Sequence, residues 1–133
     1  MLHITKVMIA KFDIHEMDFM GYSLDKEHAS FHHLIIPRRE GGPKTIDNGA
    51  VLNSFTSHPY LHIIEEKDYE LFYLITSEMI DQNIRRRLNL ENIRRINDLL
   101  TYFEKEHCGD INFNGEPLIK EKYVKRLLYT GHK

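Results

Sequence analysis

Cysteine is nearly absent from this chain: Cys108 is the single one. A disulfide framework within one chain is thereby excluded, and so is a zinc knuckle built on thiolates. A lone cysteine fits a reducing compartment. Long apolar runs are missing too. None approaches the roughly 20 residues needed to span a bilayer. Near the start, Lys6 and Lys11 bracket too short an apolar stretch for a signal peptide. The expectation is a cytoplasmic protein with no membrane partner. An excess of charge of one sign is also lacking. With 18 Lys and Arg against 20 Asp and Glu, the net charge is −2. The chain is therefore not a generally basic nucleic-acid binder, and any phosphate recognition must come from a local patch.

What is present suffices for one core. The chain has 133 residues, of which 41% are hydrophobic and 29% charged, the make-up of a globular domain of ordinary size. No internal repeat and no low-complexity linker divides it, so residues 1–133 read as one domain. Ile4, Val7, Met8 and Phe12 stand at helical spacing, which predicts an N-terminal helix over 4–12. Leu34, Ile35 and Ile36 read as a buried strand ended by Pro37, Gly41-Gly42-Pro43 as a turn, and Ala50-Val51-Leu52 as the returning strand. Together they predict a hairpin around 30–53, with Leu34, Ile36, Val51 and Leu61 buried. Thr56 or Ser57 is a good N-cap and Pro59 suits a first turn, so a helix should begin near His58. Asp68 caps the next helix, whose inward stripe is Leu71, Leu74, Ile75, Met79 and Ile80. Another helix is expected over Leu90–Glu106, with Ile93, Ile96, Leu99, Leu100 and Phe103 inward. Gly109 reads as a stop, Asn114-Gly115 as a turn and Leu118–Leu128 as a last helix. The predicted class is α+β: a hairpin–helix core over about 30–66 and a helical extension over about 68–130.

The chemistry-bearing residues gather in that core. His32 and His33 are adjacent, Asn48 follows, and His58 and His62 are four apart. On a helix, His58 and His62 share one face and can share one cation; two unrelated surface histidines would show the same spacing. On a strand, His32 and His33 point to opposite faces, so one can join a metal while the other is left for a different task. Asn48-Gly49 is also a common turn pair. Arg38 and Arg39 follow the first strand, where they can hold a phosphate or simply face solvent. Arg85-Arg86-Arg87 with Arg94-Arg95 forms one basic patch, and Lys120, Lys122, Lys125 and Arg126 a second. Either can track a nucleic-acid backbone or be a solvated helix face. The acidic run Glu65-Glu66, with Asp68 and Glu70, would repel nucleic acid unless it faces away or helps bind metal.

The order His-His, Gly-Gly turn, Asn, His-x-x-x-His over residues 31–62 resembles the HNH, or His-Me finger, nucleases in their colicin-like form. It is also similar to the small stand-alone HNH-like proteins of Gram-positive bacteria and their mobile elements. The resemblance implies a ββα-metal fold and a metal-dependent endonuclease acting on nucleic acid, DNA ahead of RNA. It implies His32, His58 and His62 as metal ligands, His33 as general base, and Asn48 as the residue that holds the hairpin and orients the base. Arg38 would stabilise the transition state. Three imidazoles favour one divalent ion such as Zn²⁺, Ni²⁺ or Mn²⁺ over Mg²⁺. Each arm of the hairpin is one residue longer than the commoner pattern, so a longer hairpin is expected. The alternative is an HNH-like fold serving as an inactive binding or inhibitory module with a protein partner. A structural zinc site is a third reading, although such sites usually have four protein ligands.

Overall fold

A computed structural model describes residues 2–107 of the chain. Among these residues the elements are α1 (His3–Lys11), β1 (Ala29–His33), β2 (Gly49–Asn53), α2 (Ser57–Lys67), α3 (Tyr69–Arg85) and α4 (Leu90–Glu106), with three short 3₁₀ turns between them. The class is α+β. No described helix is long and apolar enough to cross a membrane. The expected stop at Gly109, the turn at Asn114-Gly115, the helix over 118–128 and the lysine-rich second patch lie outside the described residues.

Side-chain caps start α3 and α4, whereas α2 begins at Ser57 as expected but with no cap hydrogen bond from the Thr56 side chain. Asp68 accepts a hydrogen bond from Leu71 N at 3.1 Å and starts α3. Asn89 accepts from Glu91 N and Asn92 N and starts α4. The inward stripe of α4 is Ile93, Ile96, Leu100 and Phe103, all fully buried, with Leu99 packed partly against them. In α3, Leu71, Ile75 and Met79 are buried and Ile80 partly so, but Leu74 is exposed rather than inward. Leu74 falls at the edge of an apolar face that Leu71, Ile75 and Met79 already fill.

The two strands pair antiparallel in an unbroken register, from Ala29 opposite Asn53 to His33 opposite Gly49. No bulge interrupts the five residue pairs of this register. The expected strand over 34–36 is corrected. β1 ends at His33, Ile35 and Ile36 are exposed, and of the three only Leu34 is buried. The reason is Asn48. Its backbone carbonyl accepts from Leu34 N at 2.8 Å, and its Oδ1 accepts from Ile35 N and Ile36 N at 2.9 and 2.8 Å. Its Nδ2 donates to the carbonyls of Ile36 and Pro43 at 2.9 and 3.0 Å. The N–H groups of Ile35 and Ile36 and the Ile36 carbonyl are thus satisfied by one buried side chain and not by a strand partner. Asn48-Gly49 is accordingly not a two-residue hairpin turn. Within the connection Gly42 passes so close to Ile36 that a Cβ there would lie 1.9 Å from the Ile36 carbonyl oxygen.

The hairpin has helices on both faces. Phe31 and Met8 of α1 crowd Gly49 so closely that a Cβ at Gly49 would sit 2.3 Å from the Phe31 ring. Strand alternation turns His32 to the opposite face, toward α2. Leu61 and Ile64 of α2 are fully buried in the same core as Val51 and Leu52. One buried carboxylate sets the junction between hairpin and helix. Asp18 Oδ1 accepts from Met20 N and Tyr22 N at 2.9 and 3.0 Å, and Oδ2 accepts from Asn53 N at 2.8 Å and from the Ser57 hydroxyl. Asn53 ends β2 and Ser57 begins α2, so the carboxylate ties the strand end to the helix start. Asp18→Ala leaves several buried donors without an acceptor. It is expected to cost about 3 kcal/mol or more, read as a fall in the urea midpoint at pH 7; an unchanged midpoint would contradict this account of the junction.

Candidate metal centre

The residues that start α2 carry the site. Ser57 anchors the helix, and His58 and His62 then project one turn apart from the same face. His32 reaches them from β1. The ring centroids lie 5.2 Å apart for His32–His58, 5.4 Å for His32–His62 and 5.0 Å for His58–His62. One nitrogen from each ring lies within 4.8 Å of the others, and among the described residues this trio is the group that could hold a metal ion.

The second nitrogen of the two helix histidines is already engaged. Ser30 Oγ donates to the Leu52 carbonyl at 3.2 Å, and His58 Nδ1 lies 2.7 Å from the same oxygen. A carbonyl only accepts, so the Ser30 proton points to Leu52 and Ser30 must accept from His58 Nδ1–H. That assignment leaves the lone pair of His58 on Nε2. His62 Nδ1 lies 3.2 Å from Glu65 Oε1, which fixes its tautomer the same way. This is how metal-ligating histidines are commonly oriented, with one nitrogen on the ion and the other on a polar partner. His32 is 5% exposed, and its Nε2 is buried with no hydrogen-bond partner. An orphaned buried nitrogen of this kind costs about 1–3 kcal/mol, and a cation among the three rings would relieve it. The residues present therefore fit a divalent metal ion.

His32 and His58 are held neutral. Burial, then His58, His62 and His33, lower the His32 pKa to about 3. Burial, then His62 and His33, lower that of His58 to about 4. Both imidazoles keep a lone pair for a cation throughout the neutral range.

His33 occupies the other side of β1. Its ring packs edge-on against Phe31 at 4.9 Å. The Gly42 carbonyl accepts a hydrogen bond from the ring, while burial first, then Lys44 and Arg38, hold the pKa below the ordinary imidazole value. His33 Nε2 is buried with no hydrogen-bond partner. His32, His33, His58 and His62 line one cleft of about 1120 Å³, together with Arg38, Arg39 and Lys44. Asn48 stands apart from the ring cluster; it braces the backbone that runs from His33 toward Arg38. Comparisons with protein-family models, with curated proteins and with solved structures return no match.

Ser30, Glu65 and Lys44 are site residues that spacing arguments did not assign. Ser30 stands two residues from His32, hence on the same strand face, and Glu65 stands three from His62 on one helix. Both were discoverable by that rule. Of the two expectations for the acidic run, repulsion of nucleic acid or help at the metal site, Glu65 fits the second, because its carboxylate orients a histidine. The arginine patch on α3 and α4 does not line the cleft. Arg85 pairs with Asp81 at 3.0 Å, Arg95 with Glu78 at 2.8 Å, and Arg86 with Asp47.

Two measurable consequences follow. Ser30→Ala removes the acceptor that orients His58, and Zn²⁺ affinity should fall about 10–100-fold by calorimetric titration; unchanged affinity would remove Ser30 from the site. The second concerns acid stability of the metal-free protein. Below about pH 6.5 the unfolded chain protonates His32 and His58 while the folded chain does not, so their contribution to stability falls as pH falls toward 4. Asp18 works the other way, because burial raises its pKa to about 6 and the folded state takes that proton first. Two histidines oppose one carboxyl, so stability should drop between pH 6 and 4 by about 1.4 kcal/mol per pH unit for one net proton. Urea titrations in EDTA across that range measure the slope, and His32→Gln should flatten it.

Proposed function

We propose that this protein is a metal-dependent endonuclease of the His-Me finger type, hydrolysing nucleic-acid phosphodiester bonds at the hairpin–helix site. The observation that carries the reading is the division of labour across β1. His32 converges with His58 and His62 on one side, while His33 stands on the other with a free Nε2 and a depressed pKa. The order of elements, two antiparallel strands followed by a helix that carries two histidines, suits the ββα-metal arrangement.

In this reading His32, His58 and His62 hold one divalent ion, with Zn²⁺, Ni²⁺ or Mn²⁺ better matched to imidazole than Mg²⁺. When bound, such an ion supplies charge stabilisation to a phosphate oxygen and to the leaving 3′ oxygen. His33 is the residue assigned to take the proton of the attacking water, and a pKa held below the ordinary imidazole value suits it to that task. Arg38 meets the negative charge that builds on the phosphate, with Arg39 and Lys44 adding to the local positive field despite the net charge of −2. Asn48 is a positioning residue: it fixes the backbone of Ile35 and Ile36, which links the base to the arginine.

Two variants separate catalysis from metal binding. His33→Ala should lower cleavage of plasmid or oligonucleotide by a factor on the order of 10² to 10⁴ with metal affinity largely intact. His58→Ala should lose both. A wild-type protein that binds Zn²⁺, Ni²⁺ or Mn²⁺ tightly yet cuts neither DNA nor RNA would end the nuclease reading in favour of a binding or inhibitory module.

A further inference from the structure

The cleft lining includes two aromatic residues of α3 that this chemistry does not use. Tyr69, the first residue of α3, lines the cleft together with Phe72, His62, Arg38 and Arg39. Tyr69 is 63% exposed. Its ring lies 5.6 Å from that of Phe72 at an inclination of 38°, and Phe72 is packed partly against the core. The Asp68 cap fixes the turn on which both stand. An exposed tyrosine adds little to folding, since aromatic side chains stabilise by the area they bury. Here an exposed ring that lines the cleft is held on a capped helix start beside a second ring.

The remaining lining says what such a face would meet. Arg38, Arg39 and Lys44 supply three cations, against the acidic Glu27 and Glu65, and Glu65 is engaged by His62. At about 1120 Å³, the cleft stands at the upper end of the ~300–1,000 Å³ range of ligand sites. Cations for phosphates beside an open aromatic for bases is the pairing found in proteins that hold single strands. In a duplex each base face is covered by its neighbours, and stacking on a side chain requires unstacking first. Resting on the nuclease reading above, we propose that the substrate is single-stranded nucleic acid. Tyr69, backed by Phe72, stacks on a base beside the phosphate held at the histidine site.

Binding can be read without cleavage. In EDTA, a short labelled oligonucleotide as single-stranded DNA, as single-stranded RNA and as the DNA duplex is titrated with the full chain by fluorescence anisotropy. A single strand of either sugar should bind at least about tenfold tighter than the duplex. Tyr69→Ala should weaken single-strand binding by about tenfold, whereas Tyr69→Phe, which keeps the ring, should bind as wild type. A 2-aminopurine placed in the strand should be quenched by wild type and by Tyr69→Phe but not by Tyr69→Ala. Far-UV circular dichroism checks that the variants fold. Equal affinity for duplex, no binding of any single strand, or full affinity and quenching in Tyr69→Ala each overturns the proposal. The two readings fail separately. Tyr69-dependent binding and quenching with no cleavage in Mn²⁺ or Zn²⁺ keeps the stacking site and ends the nuclease. Cleavage that persists while Tyr69→Ala binds single strands normally does the reverse.

Discussion

The Asp18 carboxylate is the interaction on which the rest depends. It is fully buried and accepts from the last residue of β2 and the first residue of α2 at once. Burying a carboxylate is unfavourable, as its pKa of about 6 records, and the four donors around it offset that cost. The gain is geometric. With Asn53 and Ser57 fixed on one group, the angle between strand and helix has little freedom, and His58 comes immediately after Ser57. The distance from His32 to the two helix histidines is therefore set by a contact with a residue far upstream of all three.

The same economy of polar groups recurs through the core. Asn48 satisfies the backbone of 34–36 and shapes the connection that carries Arg38. Ser30 and Glu65 each take one nitrogen of a histidine and leave the other free. Leaving a buried ring nitrogen without a partner is unfavourable, so the orphaned Nε2 atoms of His32 and His33 stand out against a core whose other histidine contacts are paired. The two orphans belong to adjacent residues on opposite faces of one strand, which gives the strand two different chemical sides.

Charge is distributed to match. The arginines at the end of α3 and on α4 are largely tied to carboxylates of the same helices or of the 3₁₀ turn before β2, and they lie outside the cleft lining. The cations inside it, Arg38, Arg39 and Lys44, come from the connection between the strands. A nearly neutral chain can in this way present a positive field over one small region. The depressed pKa values of His32, His33 and His58 have the same root: burial first, then neighbouring imidazoles for His32 and His58, and Lys44 and Arg38 for His33.

Much of this was legible locally. Four-residue spacing placed His58 and His62 on one helix face, and strand alternation separated His32 from His33. A capping residue, Asp68, located the start of α3 because its hydrogen bond spans only three residues. The misreadings were local as well: Leu34-Ile35-Ile36 has the composition of a strand, and Leu74 the spacing of a core position. In each case a competing partner decided the outcome, Asn48 for the first and an already filled interface for the second. Tertiary structure alone decided which histidine of the pair turns toward α2, that Asp18 joins strand to helix, and that Tyr69 shares a cleft with the histidines. Periodicity reports the relative directions of neighbours on one element. Which direction faces another element depends on contacts between residues tens of positions apart, and those exist only once the chain has packed.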